Sequence, residues 1–150
     1  MTDRSHRILL LIALLAVAGV AVSSVSLVHH YAKSKSSYCD FGETFNCDMV
    51  NRSVYSVVMG VPVALIGVVG YVALLALATV YRSKAETPAM LLMGGLVGLT
   101  FALYLTYVEA FVLAVWCILC LSSLTLIFTI TILSARLFLY RRRSTSSLSS

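Results

Sequence analysis

The sequence has few charged residues: they make up 11% of its 150 positions, whereas hydrophobic residues make up 60%. Its mean hydropathy of +0.97 is far above the range of soluble domains of this size. The shortage of charge therefore excludes a soluble globular domain and indicates a protein that crosses a membrane several times.

The sequence also lacks the alternating strands and helices that accompany a Cys-x-x-Cys motif in soluble thioredoxin-like proteins. It contains no internal repeat. The net charge of +5 does not indicate nucleic-acid binding, because the basic residues lie at the ends of apolar segments rather than in one patch.

Four long apolar segments make up most of the chain. Each is close to the ~20 residues that a membrane-spanning helix needs. They cover residues 8–28, 57–81, 88–110 and 115–140. The sequence thus predicts an all-α integral membrane protein, with a single domain over residues 1–150 that forms a bundle of four transmembrane helices.

The remaining segments are short. Residues 29–56 form a turn-rich loop, and we expect a short interfacial helix in it that runs from Asp48 toward Met59, with Asp48 as its cap. The Ser-rich tail 144–150 is predicted to be disordered. The first apolar segment is longer than the core of a usual signal peptide, which favours a retained anchor over a cleaved signal.

The basic residues predict the orientation in the membrane. Eight of the eleven lie near the two termini or in the turn between the second and third segments, and three lie in the loop 29–56. Because Lys and Arg favour the cytoplasmic side, we expect a multi-pass protein of the cell membrane with both termini in the cytoplasm. The loop 29–56 and the turn 111–116 then face outward, where disulfides persist.

The four cysteines form two pairs, both on the predicted outer side. Cys117 and Cys120 are one helical turn apart on one face, and a helix N-terminus favours the thiolate that exchanges disulfides. Cys39 and Cys47 lie in the exposed loop. A redox relay, two structural disulfides and a four-cysteine zinc site all account for this pattern. The eight-residue spacing of the loop pair fits zinc poorly, so we expect no metal.

Other polar residues beside the spans carry weaker signals. Glu109 is the only acidic residue in or beside a span, and a functional role and a position at the membrane surface explain it equally well. We expect His29 and His30 to be solvated at the surface, and Tyr104 and Tyr107 to belong to an aromatic belt.

The cysteine pairs and the residues between them resemble the vitamin K epoxide reductase family, most of all its prokaryotic members that make disulfide bonds. The resemblance runs from about residue 38 to residue 123. It rests on Cys39, Cys47-Asp48, Ser53, Gly60-Val61-Pro62, Gly67, Gly70-Tyr71 and Cys117-Ile118-Leu119-Cys120.

The resemblance implies a role for each of these cysteines. Cys39 would meet a reduced thioredoxin-like partner, and Cys47 would pass the electrons to Cys117. Cys120 would lie nearest a quinone, of the menaquinone, ubiquinone or vitamin K type. Ser53 would supply a hydroxyl beside the quinone.

The sequence departs from the animal members of the family at two positions. They carry Tyr where this chain has Leu124 and Asn where it has Val54, and those groups bind the quinone oxygens. The resemblance therefore implies quinone reduction and leaves epoxide reduction open. Because the chain ends at Ser150 without a thioredoxin-like domain, we expect that partner to be a separate protein on the outer face.

The expected function is therefore a membrane thiol–disulfide oxidoreductase that passes electrons from the partner to a quinone and drives disulfide formation outside the cytoplasm. The alternative is a tetraspanin-like membrane scaffold with structural disulfides and no redox turnover.

Overall fold

The computed structural model describes residues 3–31, 42 and 44–148, with side chains as far as residue 147. In these residues it contains five α-helices, a 3₁₀ turn, a short hairpin and a π-helical turn. The helices are α1 (Asp3–Tyr31), α2 (Cys47–Asn51), α3 (Val63–Thr79), α4 (Thr87–Val108) and α5 (Ile118–Leu148). The 3₁₀ turn is Val54–Ser56, the strands are β1 (Val57–Val58) and β2 (Val61–Pro62), and the π turn is Glu109–Leu113.

The long helices form a bundle, which confirms the predicted all-α membrane architecture. Helix α1 packs against α3 and α5, and α4 packs against α5 and α3. Their inward faces supply one apolar core. Its buried members are Leu9, Ile12, Ala16, Tyr71, Leu74, Ala78, Leu91, Ile127, Ile130 and Leu137.

The outward faces of the bundle are also apolar. Val17, Val69 and Val97 are each more than half exposed. Among the described residues, α1, α5 and α4 with its π turn are long and apolar enough to cross a bilayer, and α3 is a shorter apolar helix. Lipid is the solvent in which such exposed side chains cost nothing.

Helix α3 is shorter than the predicted span 57–81 because a hairpin precedes it. Val57 pairs with Pro62 and Val58 with Val61. The two residues between the strands, Met59 and Gly60, have φ values of 53° and 83°. Two successive positive φ angles are typical of a tight hairpin turn, and Gly60 adopts one without steric cost. The 17 residues of α3 measure about 25 Å at 1.5 Å per residue.

Helix α5 is longer than predicted at its C-terminal end. The tail 144–150 was expected to be disordered, but the helix continues through Leu148. Thr145 Oγ1 donates to the carbonyl of Arg141 at 3.1 Å within this extension. Arg141 itself donates to the carbonyls of Arg82 and Lys84, at 3.2 and 3.1 Å, so this end of α5 is anchored to the loop between α3 and α4.

Candidate active site

A parallel backbone bridge brings the loop before α2 onto the chain before α5. Phe45 pairs with Trp116. The Trp116 amide donates to the Thr44 carbonyl at 2.9 Å, and the Asn46 amide donates to the Trp116 carbonyl at 3.2 Å. Because the two bridged segments run parallel, the residues that follow Asn46 and Trp116 also come together, and both of these residues are cysteines.

Those two cysteines are Cys47 and Cys117, and both are completely buried. They belong to one apolar cluster with Val50 and Val115. Their thiols are in hydrogen-bonding contact. Cys47 opens α2, whose cap is Asn46 rather than the expected Asp48, since Asn46 Oδ1 accepts from the Met49 amide at 2.9 Å. The fold therefore places one loop cysteine against one cysteine of the Cys-x-x-Cys pair.

Cys120 lies one turn further along α5 and is partly exposed. Its sulfur, the Cys117 sulfur and a carboxylate oxygen of Glu109 lie within 4.8 Å of one another. A structural zinc site takes four ligands, and this group offers three among the residues that the structure describes. The arrangement instead suits two thiols that close into a disulfide beside a carboxyl group.

The Cys117 thiol precedes the α5 span and has a raised pKa. The main cause is the hydrogen bond that the Cys117 S–H makes to the Cys120 sulfur, which favours the protonated form of Cys117 and raises its pKa. Contact with Cys47 lowers the pKa, and burial raises it further. The sequence indicated thiolate character at Cys117 from its position at a helix start, whereas the structure favours the thiol there.

A cavity of about 590 Å³ lies next to these groups, between α1, α3, α4 and α5. Its lining is mostly apolar and includes Cys120 and Glu109, but not Cys117. The volume is within the range of sites for small organic ligands. Of the two cysteines in the motif, Cys120 is thus the one that a ligand in this cavity would meet.

The sequence model of the vitamin K epoxide reductase family matches residues 10–135. The chain belongs to that family. A search of curated proteins finds no match. Membership confirms the resemblance drawn from the cysteine pairs and the Gly-Val-Pro segment.

Vitamin K epoxide reductase family proteins are quinone-linked oxidoreductases of thiols and disulfides, and the chain is accordingly a membrane oxidoreductase. The family match covers all four cysteines. The structure brings Cys47, Cys117 and Cys120 together. Cys39 lies outside the described residues, so its position relative to the other three stays a prediction.

Three further positions were considered in the family comparison, namely Ser53, Val54 and Leu124, and one of them lines the cavity. Ser53 lines the cavity, and its hydroxyl donates to the Val50 carbonyl at 2.8 Å. Val54 is 86% exposed and lies outside the cavity, and Leu124 is also absent from its lining. Neither Val54 nor Leu124 therefore offers a hydrogen-bonding group to the cavity.

Two polar residues of the site, Tyr71 and Asn51, were given no role on the basis of the sequence. Tyr71 lines the cavity, and its hydroxyl lies 2.9 Å from both the carbonyl and the hydroxyl of Ser123. Asn51 also lines it and accepts from the Ser26 hydroxyl at 2.7 Å. Tyr71 was itself one of the residues that carried the family resemblance, and that was the available signal. Nothing in the sequence marked Asn51 as buried.

The sequence suggested that the two histidines at the end of α1 are solvated, but both make contacts within the protein. His29 is buried, with Nδ1 3.5 Å from Oδ1 of Asp48. His30 Nδ1 donates to the Asn51 carbonyl. Both contacts join α1 to α2, so the histidines help to hold the helix that carries Cys47.

Proposed function

We propose that the protein is a membrane thiol–disulfide oxidoreductase that moves electrons from a reduced thioredoxin-like partner, through its cysteines, to a quinone. The loop pair Cys39 and Cys47 receives the electrons, and the pair Cys117 and Cys120 delivers them. The result is disulfide formation outside the cytoplasm. The observation that carries the proposal is the order in space: Cys47 touches Cys117, and Cys120 lines the cavity.

The exchange steps follow from that order. The partner's thiolate attacks the Cys39–Cys47 disulfide and leaves Cys47 as a thiolate. The Cys47 thiolate attacks the Cys117 sulfur, so that a Cys47–Cys117 bond forms and the Cys117–Cys120 bond breaks. Cys120 is released as a thiolate at the cavity wall. The partner's second thiolate then breaks the bond between the partner and Cys39, and the freed Cys39 thiolate attacks Cys47 and releases Cys117. The disulfide has passed to the partner, the Cys39–Cys47 bond is restored, and Cys117 and Cys120 are a dithiol. Each step exchanges one S–S bond for another, and the attacking and leaving sulfurs need to lie in line and within reach.

The cavity fits a quinone in size and polarity. A planar ring with an apolar tail needs mostly apolar walls and a few polar atoms, and Glu109, Tyr71, Asn51 and Ser53 supply the polar ones. The Glu109 Oε1 atom is buried and has no hydrogen-bond partner among the described residues, so a polar atom remains available to a ligand. When bound, a quinone would accept two electrons with two protons and carry them into the membrane.

The proposal treats residues 1–150 as one membrane domain and the thioredoxin-like partner as a separate protein on the outer face. Both termini would lie in the cytoplasm. The distribution of basic residues supports this orientation. Whether the natural acceptor is a menaquinone, a ubiquinone or a vitamin K quinone is a matter for the assay, because the apolar lining suits all three.

The test is an anaerobic assay in which purified protein, a reductant and a quinone are mixed and quinol formation is followed. Two reductants are compared, a reduced thioredoxin-like protein and a small dithiol. Cys39→Ala should abolish turnover with the protein and spare turnover with the dithiol, whereas Cys120→Ala should abolish both. Equal loss with both reductants in the Cys39 variant would contradict the relay. If neither reductant reduces the disulfides, the result would instead support a membrane scaffold with structural disulfides.

A further inference from the structure

Glu109 has an unusual position for an acidic residue in an apolar bundle. It is the first residue of the π turn that ends the α4 segment, and Ala114, with φ of 52°, closes that turn. Single π turns inside helices are frequent at functional sites. Its side chain is only 1% exposed. The carboxyl group at the junction of α4 and the π turn therefore lies inside the protein instead of at the membrane surface.

The immediate partners of this carboxyl group belong to the cysteine motif. Oε2 accepts a hydrogen bond from the Cys117 backbone amide at 3.1 Å, and a carboxylate oxygen lies within 4.8 Å of the Cys117 and Cys120 sulfurs. The other oxygen, Oε1, is buried without a partner. Among the described residues no cation pairs with Glu109, because the ion pairs found there are Arg7–Asp3 and His29–Asp48.

A buried carboxylate without a cation is costly, and one that exchanges a proton with its neighbours avoids that cost. Glu109 is also the only carboxyl group in the described lining of the cavity. Glu109 thus lies beside both thiols that lose protons, and it also lines the cavity in which an acceptor would take them up. A residue that served only to hold the Cys117 amide would not need to reach the cavity.

Resting on the proposed function, we propose that Glu109 is the proton carrier of the Cys117–Cys120 pair. When the dithiol closes, two S–H bonds break and one S–S bond forms. Two electrons and two protons leave the sulfurs, and the quinone class of acceptor takes both. In the reduced protein the Cys120 proton rests on the Glu109 carboxyl group, which releases it to the acceptor's oxygen as the S–S bond closes. The Cys117 proton then leaves by way of the same carboxylate, so that Glu109 is protonated in the reduced protein and ionised in the oxidised one.

The first test is single-turnover quinol formation from protein reduced beforehand by a small dithiol. Glu109→Gln keeps the shape and an acceptor for the Cys117 amide but cannot carry a proton. We expect its rate to fall by about 100-fold or more, the usual contribution of general acid–base catalysis. Glu109→Asp keeps a carboxyl group and should recover part of the rate. Glu86→Gln, at the exposed opposite end of α4, is the matched control and should behave as wild type.

The second readout is independent of the quinone. Infrared difference spectra of oxidised and dithiol-reduced protein report the carbonyl band of protonated carboxyl groups. A proton carrier changes the intensity of this band in wild type and in Glu86→Gln, and the change disappears in Glu109→Gln. A carboxyl group with a purely structural role keeps its proton count and leaves the intensity unchanged.

Unchanged turnover in Glu109→Gln would overturn the inference, and so would a wild-type infrared spectrum without a carboxyl change. The wild-type spectrum decides the matter even if Glu109→Gln does not fold. If reduced wild-type protein forms no quinol at all, the proposed function fails, while the infrared experiment still decides whether Glu109 exchanges a proton with the dithiol.

Discussion

Asn46 and Trp116 are joined by a backbone hydrogen bond of 3.2 Å, which links the loop before α2 to the segment just before α5. With the return bond from Trp116 to Thr44, it fixes the distance between the cysteines that follow them. Cys47 and Cys117 therefore depend on main-chain geometry for their contact. If Cys47 reached Cys117 only by random motion of the loop, each turnover would include the unfavourable entropy of closing that loop.

The bridge can be tested with two substitutions at Asn46. Asn46→Ala removes the side-chain cap of α2 and should cost about 1 kcal/mol of stability. Asn46→Pro also removes the amide that donates to Trp116, and the Asn46 φ of −142° does not suit proline. We expect Asn46→Pro to slow exchange between Cys47 and Cys117 at least ~10-fold relative to Asn46→Ala, since losing ~1.4 kcal/mol gives that factor. Equal exchange rates, measured by quenched mass spectrometry, would show that the bridge is dispensable.

A second contact holds α2 on α1. The Ser26 hydroxyl donates to Asn51 Oδ1 at 2.7 Å in a buried position. Ser26→Ala leaves that oxygen without its donor, at a cost of about 1–3 kcal/mol. We expect faster amide hydrogen exchange in Cys47–Asn51. Ser24→Ala is the control on the same helix, because among the described residues the Ser24 hydroxyl donates to the Val20 carbonyl within α1 and not to α2. Indistinguishable exchange in the two variants would argue against a role for Ser26 in holding α2.

The sequence predicted the elements whose signal is local. Uncharged apolar runs indicated four long helices, and the Cys-x-x-Cys spacing placed Cys117 and Cys120 one turn apart. The motifs shared with the vitamin K epoxide reductase family led to the correct family. Each of these depends on residues that are close in the chain, where helical periodicity and length decide the structure.

The features that the sequence did not predict depend on contacts between residues far apart in the chain. No periodic pattern marks the Asn46–Trp116 bond or the contact of His29 with Asp48, because each residue looks like an ordinary loop or surface residue by itself. The hairpin at Met59 and Gly60 was hidden by its apolar composition, which extended the predicted span to residue 57. The burial of Glu109 depends on its packing against the Cys117 amide, eight residues further along the chain.

The orientation in the membrane is a prediction that labelling can test. We expect Val54, which is 86% exposed, to lie on the outer side, and Ser83, in the exposed loop between α3 and α4, to lie in the cytoplasm. Single cysteines at these positions, in a background with the four native cysteines replaced by serine, are treated with an impermeant maleimide. Val54→Cys should react in intact cells and Ser83→Cys only after lysis. The opposite pattern would invert the topology.

Close packing beside the cavity can be tested at two glycines, one in crowded surroundings and one with open space around it. A Cβ at Gly19 would lie 2.3 Å from Tyr71 Cδ1, whereas a Cβ at Gly70 would meet nothing within 4 Å. Gly19→Ala should displace the Tyr71 ring and lower the free energy of unfolding by about 1–3 kcal/mol. Gly70→Ala should leave it nearly unchanged. Thermal unfolding in detergent measures both, and equal losses would mean that Tyr71 moves aside freely.

The order of the relay is tested most directly by trapping it. In Cys39→Ser, Cys47 has lost its predicted loop partner and remains in contact with Cys117. Its thiolate should attack the oxidised Cys117–Cys120 pair at Cys117, because that sulfur is the one the bridge places beside it. A Cys47–Cys117 disulfide forms and Cys120 is released at the cavity wall, so that the electron pair of the broken bond remains on the Cys120 sulfur.

Peptide mapping under non-reducing conditions identifies the product of that exchange. We expect Cys47 linked to Cys117, and Cys120 open to alkylation, with a quinone in the cavity slowing its modification. Cys47→Ser in the same background is the control and should leave Cys117 and Cys120 joined. A link between Cys47 and Cys120 would reverse the roles of the two motif cysteines. A folded Cys39→Ser protein with no cross-link at all would show that the contact between Cys47 and Cys117 carries no exchange, and the electron route would have to bypass the loop.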